Sequence, residues 1–286
     1  MRVLAGEDAG QLGDHMYTMA RCIKPMNGVD AHRVLHCTTG AGIGRGLVLS
    51  VAVHGLEQTT RTCYSTAVDE GSSKADDADV LAACGNSTLA FVSYALPSIS
   101  AVRGADGSDT RGGQSFTVEG AGFGPGLLSP MGSVTSMLYA PAADGNLRYD
   151  TTASCRVSVD DREIECVTLP GTGMRLQFLV SIAGQEPAAG PLTTSHAYAQ
   201  PVLATFDGEG AMDAETPGGQ VVILRGNNFG PMVDGVAQPT PLSATYDLEV
   251  AGTGGITFIA SACSLVEAHV TIECLTAEGA GRALAW

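Results

Sequence analysis

Apolar positions in this chain recur every second residue over short stretches. Phe116 and Val118 alternate with Thr117 and Glu119, and Val221 and Ile223 alternate with Val222 and Leu224. That period of two predicts strands with two unlike faces. Each run leaves a Gly-Gly pair (Gly112-Gly113, Gly218-Gly219) and enters a second glycine-rich turn holding Phe123 or Phe229. Those two phenylalanines are expected to close one end of a core. Two other runs, 91–99 and 196–203, break at Pro97 and Pro201. Proline cannot donate to a ladder, so it suits the start or edge of a strand. No stripe with a period of 3.6 is sustained, so long helices are not expected. The reading is an all-β chain of short strands.

The strand pattern repeats. Cys37, Cys166 and Cys274 are each followed by Thr at the second position and Gly at the fifth and seventh: Thr39, Gly42 and Gly44; Thr168, Gly171 and Gly173; Thr276, Gly279 and Gly281. Each cysteine has an upstream companion, namely Cys22, Cys155 and Cys263. Between Cys155 and Cys166, residues 156–159 and 162–165 read as two strands around a turn at Asp160-Asp161. A cross-strand disulfide would staple that hairpin, worth about 2–3 kcal/mol for so short a loop. Reduced, buried cysteines are the alternative reading of the same spacing. A second block, 112–125, matches 218–231, with Gly120 and Gly226 in the same place.

Composition narrows the function classes. The 286 residues suit two or three small β-domains. The net charge is −15, and Lys24 and Lys74 are the two lysines. Such a surface repels phosphate backbones, so nucleic acid is not an expected partner. It offers nothing to an anionic membrane surface, and no run of 18 apolar residues predicts a membrane span in this segment. The 8 cysteines form no CxxC pair, and an even, framework-like set implies an oxidising compartment.

In joint order, the proline starts (Pro97, Pro201), the Gly-Gly-to-Phe-Gly block (112–124, 218–230) and the Cys-x-Thr-x-x-Gly-x-Gly block resemble the IPT/TIG family. These are Ig-like modules found in plexins, in fibrocystin-like proteins and in some transcription factors. The resemblance implies tandem Ig-like β-sandwich modules of roughly 100 residues, with ligands or neighbouring modules held through loops or sheet faces. The modules are expected at 1–96 (lacking its N-terminal strands, with an inserted loop at 56–90), at 97–200 (complete) and at 201–286 (truncated at its C-terminus). Aligned on cysteine, Met1 falls at Pro130 and Trp286 at Phe178, so the segment is expected to be cut from a longer array. Near-zero linkers at the prolines would make it a semi-rigid rod. The inserted loop carries Cys63 and Cys84, expected to pair, and Asn86-Ser87-Thr88, a possible glycosylation site at Asn86. Asp76, Asp77 and Asp79 lack the spacing of a shaped calcium loop and read as solvated charge.

Catalytic chemistry is not expected, and no cofactor is implied. His15, His32, His36, His54, His196 and His269 form no HExxH, and no nucleophile elbow or P-loop is present. Asp160, Asp161, Glu163 and Glu165 lie on a hairpin without a cleft. The chain therefore reads as a non-catalytic binding, adhesion or spacer segment of an extracellular or cell-surface protein. Its partners would be neighbouring modules and an unidentified protein or glycan. The alternative is a set of accessory modules flanking a carbohydrate-active domain.

Overall fold

The structure, a computed structural model, describes residues 2–6, 16–18, 21–23, 36–45, 47–53, 56–59, 91–126, 134–143, 149–233, 236–237, 242–248, 255–281 and 284–286. Among them there is no α-helix. All regular structure is antiparallel strand apart from one turn of 3₁₀ helix, Thr152–Ser154.

The first part of the chain forms β1 (Arg2–Gly6), β2 (Met16–Thr18), β3 (Arg21–Ile23), β4 (His36–Thr38), β5 (Leu47–Val53), β6 (Leu56–Thr59) and β7 (Phe91–Val92). One sheet runs β2-β1-β5-β6, and β7 also pairs with β5. β3 and β4 form a separate ribbon in which Cys22 lies directly opposite Cys37. The stretch 56–90, read as an inserted loop, opens with a strand: Leu56–Thr59 extends the sheet along β5. Cys63, Cys84, Asn86 and the acidic run at 76–79 lie outside the described residues.

Residues 98–193 carry β8 (Ser98–Arg103), β9 (Ser115–Ala121), β10 (Val134–Pro141), β11 (Tyr149–Asp150), β12 (Arg156–Val159), β13 (Glu163–Val167), β14 (Leu176–Ile182) and β15 (Leu192–Thr193). They make two four-stranded sheets, β12-β13-β9-β8 and β11-β10-β14-β15. The expected alternation in β9 is observed, with Phe116 and Val118 buried and Thr117 and Glu119 facing outward. β14 turns Leu176, Phe178, Val180 and Ile182 inward. The two sheets meet through rings: Phe116 of one lies edge-on to Tyr139 (6.0 Å) and against Phe178 (5.7 Å) of the other. This is a β-sandwich whose core is built on aromatic contacts between layers. Phe123 is fully buried in the same cluster.

The hairpin turn is centred on Asp160-Asp161, as expected, and the second strand starts one residue later than its sequence suggests. The Arg162 N–H donates to the Val159 carbonyl (3.0 Å), and Asp161 adopts φ 65°. Arg162 therefore belongs to the turn, and β13 starts at Glu163.

The last part contains β16 (Val202–Asp207), β17 (Val221–Asn227), β18 (Met232–Val233), β19 (Val236–Ala237), β20 (Thr245–Leu248), β21 (Ile256–Ile259), β22 (Ser261–Glu267) and β23 (Thr271–Leu275). Its main sheet, β16-β17-β23-β22, has the same connectivity as β8-β9-β13-β12. Val222 and Leu224 face a second core with Leu265, Ile272 and Cys274, against which Tyr246 and Phe258 stack at 5.1 Å.

Candidate functional site

Two blocks that recur in the sequence are each other's partners in space. The Gln114 N–H donates to Thr168 Oγ1 (3.2 Å), and the Thr168 hydroxyl donates to Gln114 Oε1 (3.1 Å). The Gly113 N–H donates to the Thr168 carbonyl, and the Thr168 N–H to the Gln114 carbonyl, both at 2.8 Å. The same ladder joins Gly219-Gln220 to Thr276, with Gln220 N–H on Thr276 Oγ1 at 3.1 Å. In both copies the threonine two positions after cysteine bonds the Gly-Gly turn through its side chain as well as its backbone.

The glycine at the fifth position is explained by crowding. A Cβ at Gly171 would lie 2.6 Å from both Tyr149 Cζ and Tyr198 Oη; at Gly42 it would lie 2.6 Å from Tyr94 Oη, and at Gly279 2.4 Å from Phe258 Cε1. In each of the three places an aromatic ring lies flush on that backbone. Gly120 and Gly226 are equally constrained, each 1.9 Å from a carbonyl oxygen of the neighbouring strand if given a Cβ.

The rings form a clasp. The Leu169 N–H donates to the Tyr139 hydroxyl (2.7 Å), and the Tyr198 hydroxyl donates to the Leu169 carbonyl (2.7 Å). Because Tyr198 spends its one proton on Leu169, Tyr139 must donate across the 2.8 Å bond between the two hydroxyls. Burial pushes both phenols above the ordinary tyrosine value, so they stay protonated. Tyr94 repeats half of this arrangement, donating to the Gly40 carbonyl (2.8 Å), and Tyr246 accepts from the Ala277 N–H (2.9 Å). Sequence reasoning passed over these tyrosines.

Among the described residues, disulfides join Cys22 to Cys37, Cys155 to Cys166 and Cys263 to Cys274, each across a hairpin. Cys166 and Cys274 are fully buried, whereas Cys37 is exposed. Three of the hairpin carboxylates have partners. Asp161 Oδ1 accepts from the Gly122 N–H (3.0 Å), Asp160 Oδ1 from the Gly126 N–H (2.8 Å), and Glu165 pairs with Arg156. The two aspartates tie the hairpin to the glycine-rich turn that holds Phe123.

Of the histidines, His15, His32 and His54 lie outside the described residues, and His36 is exposed on β4. His196 packs edge-on to Phe178, its Nδ1 buried without a hydrogen-bond partner. His269 sits on the turn between β22 and β23. Among the described residues no three of His, Cys, Asp and Glu come together as metal ligands. A cleft of about 770 Å³ opens between the 97–200 and 201–286 regions, walled by Tyr198, Pro201, Leu224, Phe229, Ile272 and Trp286. Its lining is chiefly apolar side chains and backbone. No described helix is long and apolar enough to cross a membrane. No family model matches the chain, and no curated protein matches it.

Proposed function

We propose that the chain is a non-catalytic binding or spacer segment of a larger extracellular or cell-surface protein built from tandem IPT/TIG-like modules. The observation that carries this reading is the repeated unit of a disulfide-stapled hairpin whose Cys-x-Thr segment is laced to a Gly-Gly turn. Disulfides persist in oxidising compartments, which favours an extracellular setting. Asp160 and Asp161 of the hairpin hold a turn, which supports a structural role for them. The carbohydrate-binding alternative has less support, because Phe116, Tyr139, Tyr149, Phe178 and Tyr198 are buried in the core and cannot stack sugars.

The test has two parts. Chain exported from eukaryotic cells is mapped for thiol state, and the oxidised chain is displayed as a multivalent probe against arrayed cell-surface ectodomains and glycans. Saturable binding to an ectodomain supports recognition, and oxidised pairs without any bound partner support the spacer role. Free thiols at all eight cysteines, or turnover of any arrayed substrate, would overturn the proposal.

A further inference from the structure

The last unit begins a strand pairing that the middle unit carries to its end. Tyr246 stands where Tyr139 stands: its hydroxyl accepts from the Ala277 N–H, as the Tyr139 hydroxyl accepts from the Leu169 N–H. Beside Tyr246, Asp247 exchanges both backbone hydrogen bonds with Ala285 (2.7 and 2.9 Å). Beside Tyr139, Ala140 is the register partner of Gln177. Ala285 and Gln177 both lie 11 residues past their hairpin cysteine, so residues 284–286 take the register that opens β14. The side chains follow. Leu284 and Trp286 pack against the core, in the places of Leu176 and Phe178. Trp286 lies 4.4 Å from the Tyr246 ring, where Phe178 stacks on Tyr139 at 5.5 Å.

Beyond that point the units differ. β14 runs on from Phe178 through Val180 to Ile182 along β10. β20 has β21 on one side, and among the described residues no strand pairs with it past Ala285 on the other. In an antiparallel ladder, alternate residues point their N–H and C=O the same way, so Thr245 aims both at the side that Asp247 shares with Ala285. Such an edge is a template for another strand. The core is open at the same place. Val180 and Ile182 are buried in one cluster with Val118, Phe123 and Ile164. The matching Leu224, Phe229 and Ile272 instead wall the cleft of about 770 Å³, with Leu242 and Ala244 from the β20 side, and Phe229 is only partly buried.

We propose that this cleft is a strand-acceptor groove. Its occupant is an extended polypeptide strand that adds antiparallel to the edge of β20, in the register that Ala285 has opened. It drops apolar side chains of valine or isoleucine size into the cleft at the second and fourth positions beyond Trp286. The strand runs on from Trp286 in the larger protein; that source, though not the groove, rests on the function proposed above. The apolar lining selects the occupant, because a charged side chain at either inward position would be buried without a partner.

The experiment extends the full chain past Trp286 with the sequence of residues 179–193, which follows Phe178 in the middle unit, and measures amide hydrogen exchange at Thr245. A matched extension carries aspartate in place of its valine and isoleucine. Thr245 should exchange fast in the unextended chain, at least about tenfold more slowly with the apolar extension, and fast again with the aspartate one. Tyr246, already paired with Phe258, is the internal reference. Trp286 is the single tryptophan, so its emission gives a second reading. It should move to shorter wavelength with the apolar extension, and saturably with the free peptide of residues 179–193, which decides the question if the extended chain aggregates. Fast Thr245 exchange in the apolar extension, equal protection by both extensions, or unshifted Trp286 emission would overturn the groove. So would protection of Thr245 without any extension, which would give the edge to a second copy of the chain. None of these readouts depends on thiol state or on a bound ectodomain, so the groove and the proposed function can fail separately.

Discussion

The hydroxyls of Tyr139 and Tyr198 lie 2.8 Å apart, and the bond between them runs one way, from Tyr139 to Tyr198. The two tyrosines together satisfy both the N–H and the carbonyl of Leu169, in the segment just past Cys166. This clasp fixes the end of β13 to the opposite sheet, so it couples the stapled hairpin to the rest of the sandwich.

Tyr198→Phe should therefore cost more than an ordinary hydrogen bond. It leaves the Leu169 carbonyl without its donor and the Tyr139 hydroxyl without its acceptor in a buried site, about 1–3 kcal/mol. Tyr94→Phe removes the bond to Gly40 from a half-buried ring, where water can substitute, and should cost less. Urea denaturation of the full chain followed by circular dichroism compares the two, and equal midpoints would contradict this ranking.

Gly171→Ala tests the crowding separately from backbone conformation. Its Cβ would lie 2.6 Å from two rings, so the clasp must open or the strand must shift, and overpacking of this kind costs about 1–3 kcal/mol or more. Gly113 is the control. Its φ is 87°, but a Cβ there meets nothing within 4 Å, so Gly113→Ala should show the left-handed penalty alone, about 1–2 kcal/mol. The tyrosine near-ultraviolet signal separates them: it should change in Gly171→Ala and persist in Gly113→Ala.

These contrasts also mark what was legible in the sequence. The all-β class followed from the period of two at Phe116 and Val118, and the hairpin followed from strand runs on either side of Asp160-Asp161. Both are local, since the residues that form the pattern also form the element. The clasp was hidden because Tyr139, Leu169 and Tyr198 are scattered along the chain and a hydroxyl leaves no periodic mark. The lacing of Gln114 to Thr168 was visible as two repeating blocks, but nothing in either block names the other as its partner. Turn chemistry hid the boundary at Arg162, because it depends on which carbonyl that N–H finds. His269 looked like one isolated histidine until the fold set it beside Thr110.

Acid should bear on Asp150. Its Oδ1 accepts from the Thr152 hydroxyl (2.6 Å) and the Thr152 N–H (3.1 Å), the first residue of the 3₁₀ turn that leads into Cys155. Those bonds favour the ionised carboxylate and hold its pKa below the ordinary 3.8. The depressed value means that the contribution is complete above the unfolded carboxyl's pKa and is lost as pH falls through the folded one. Asp150 is exposed, so the effect is small. The carboxyl ¹³C titration should shift upward in Thr152→Val, and an unchanged midpoint would remove Thr152 as its cause.

Reduction should proceed in an order set by burial. Thiol–disulfide exchange needs a thiolate to reach a sulfur along a clear path. Cys37 is exposed on β4, whereas Cys166 and Cys274 are fully buried under their sheets. Mild reductant at neutral pH should open Cys22–Cys37 first and leave Cys155–Cys166 and Cys263–Cys274 closed until their units loosen. Timed alkylation followed by peptide mass spectrometry reads this directly, and early labelling of Cys166 would show that its hairpin opens without global unfolding. Removing that staple by Cys155→Ala with Cys166→Ala should lower stability by about 2–3 kcal/mol, the chain-entropy value for a loop of this length. Because Cys166 also fills the core beside Phe116, part of any larger loss would come from the cavity left by its sulfur. Comparing the double alanine variant with the reduced but unmutated protein separates the two contributions, since reduction breaks the crosslink and keeps the sulfur in place.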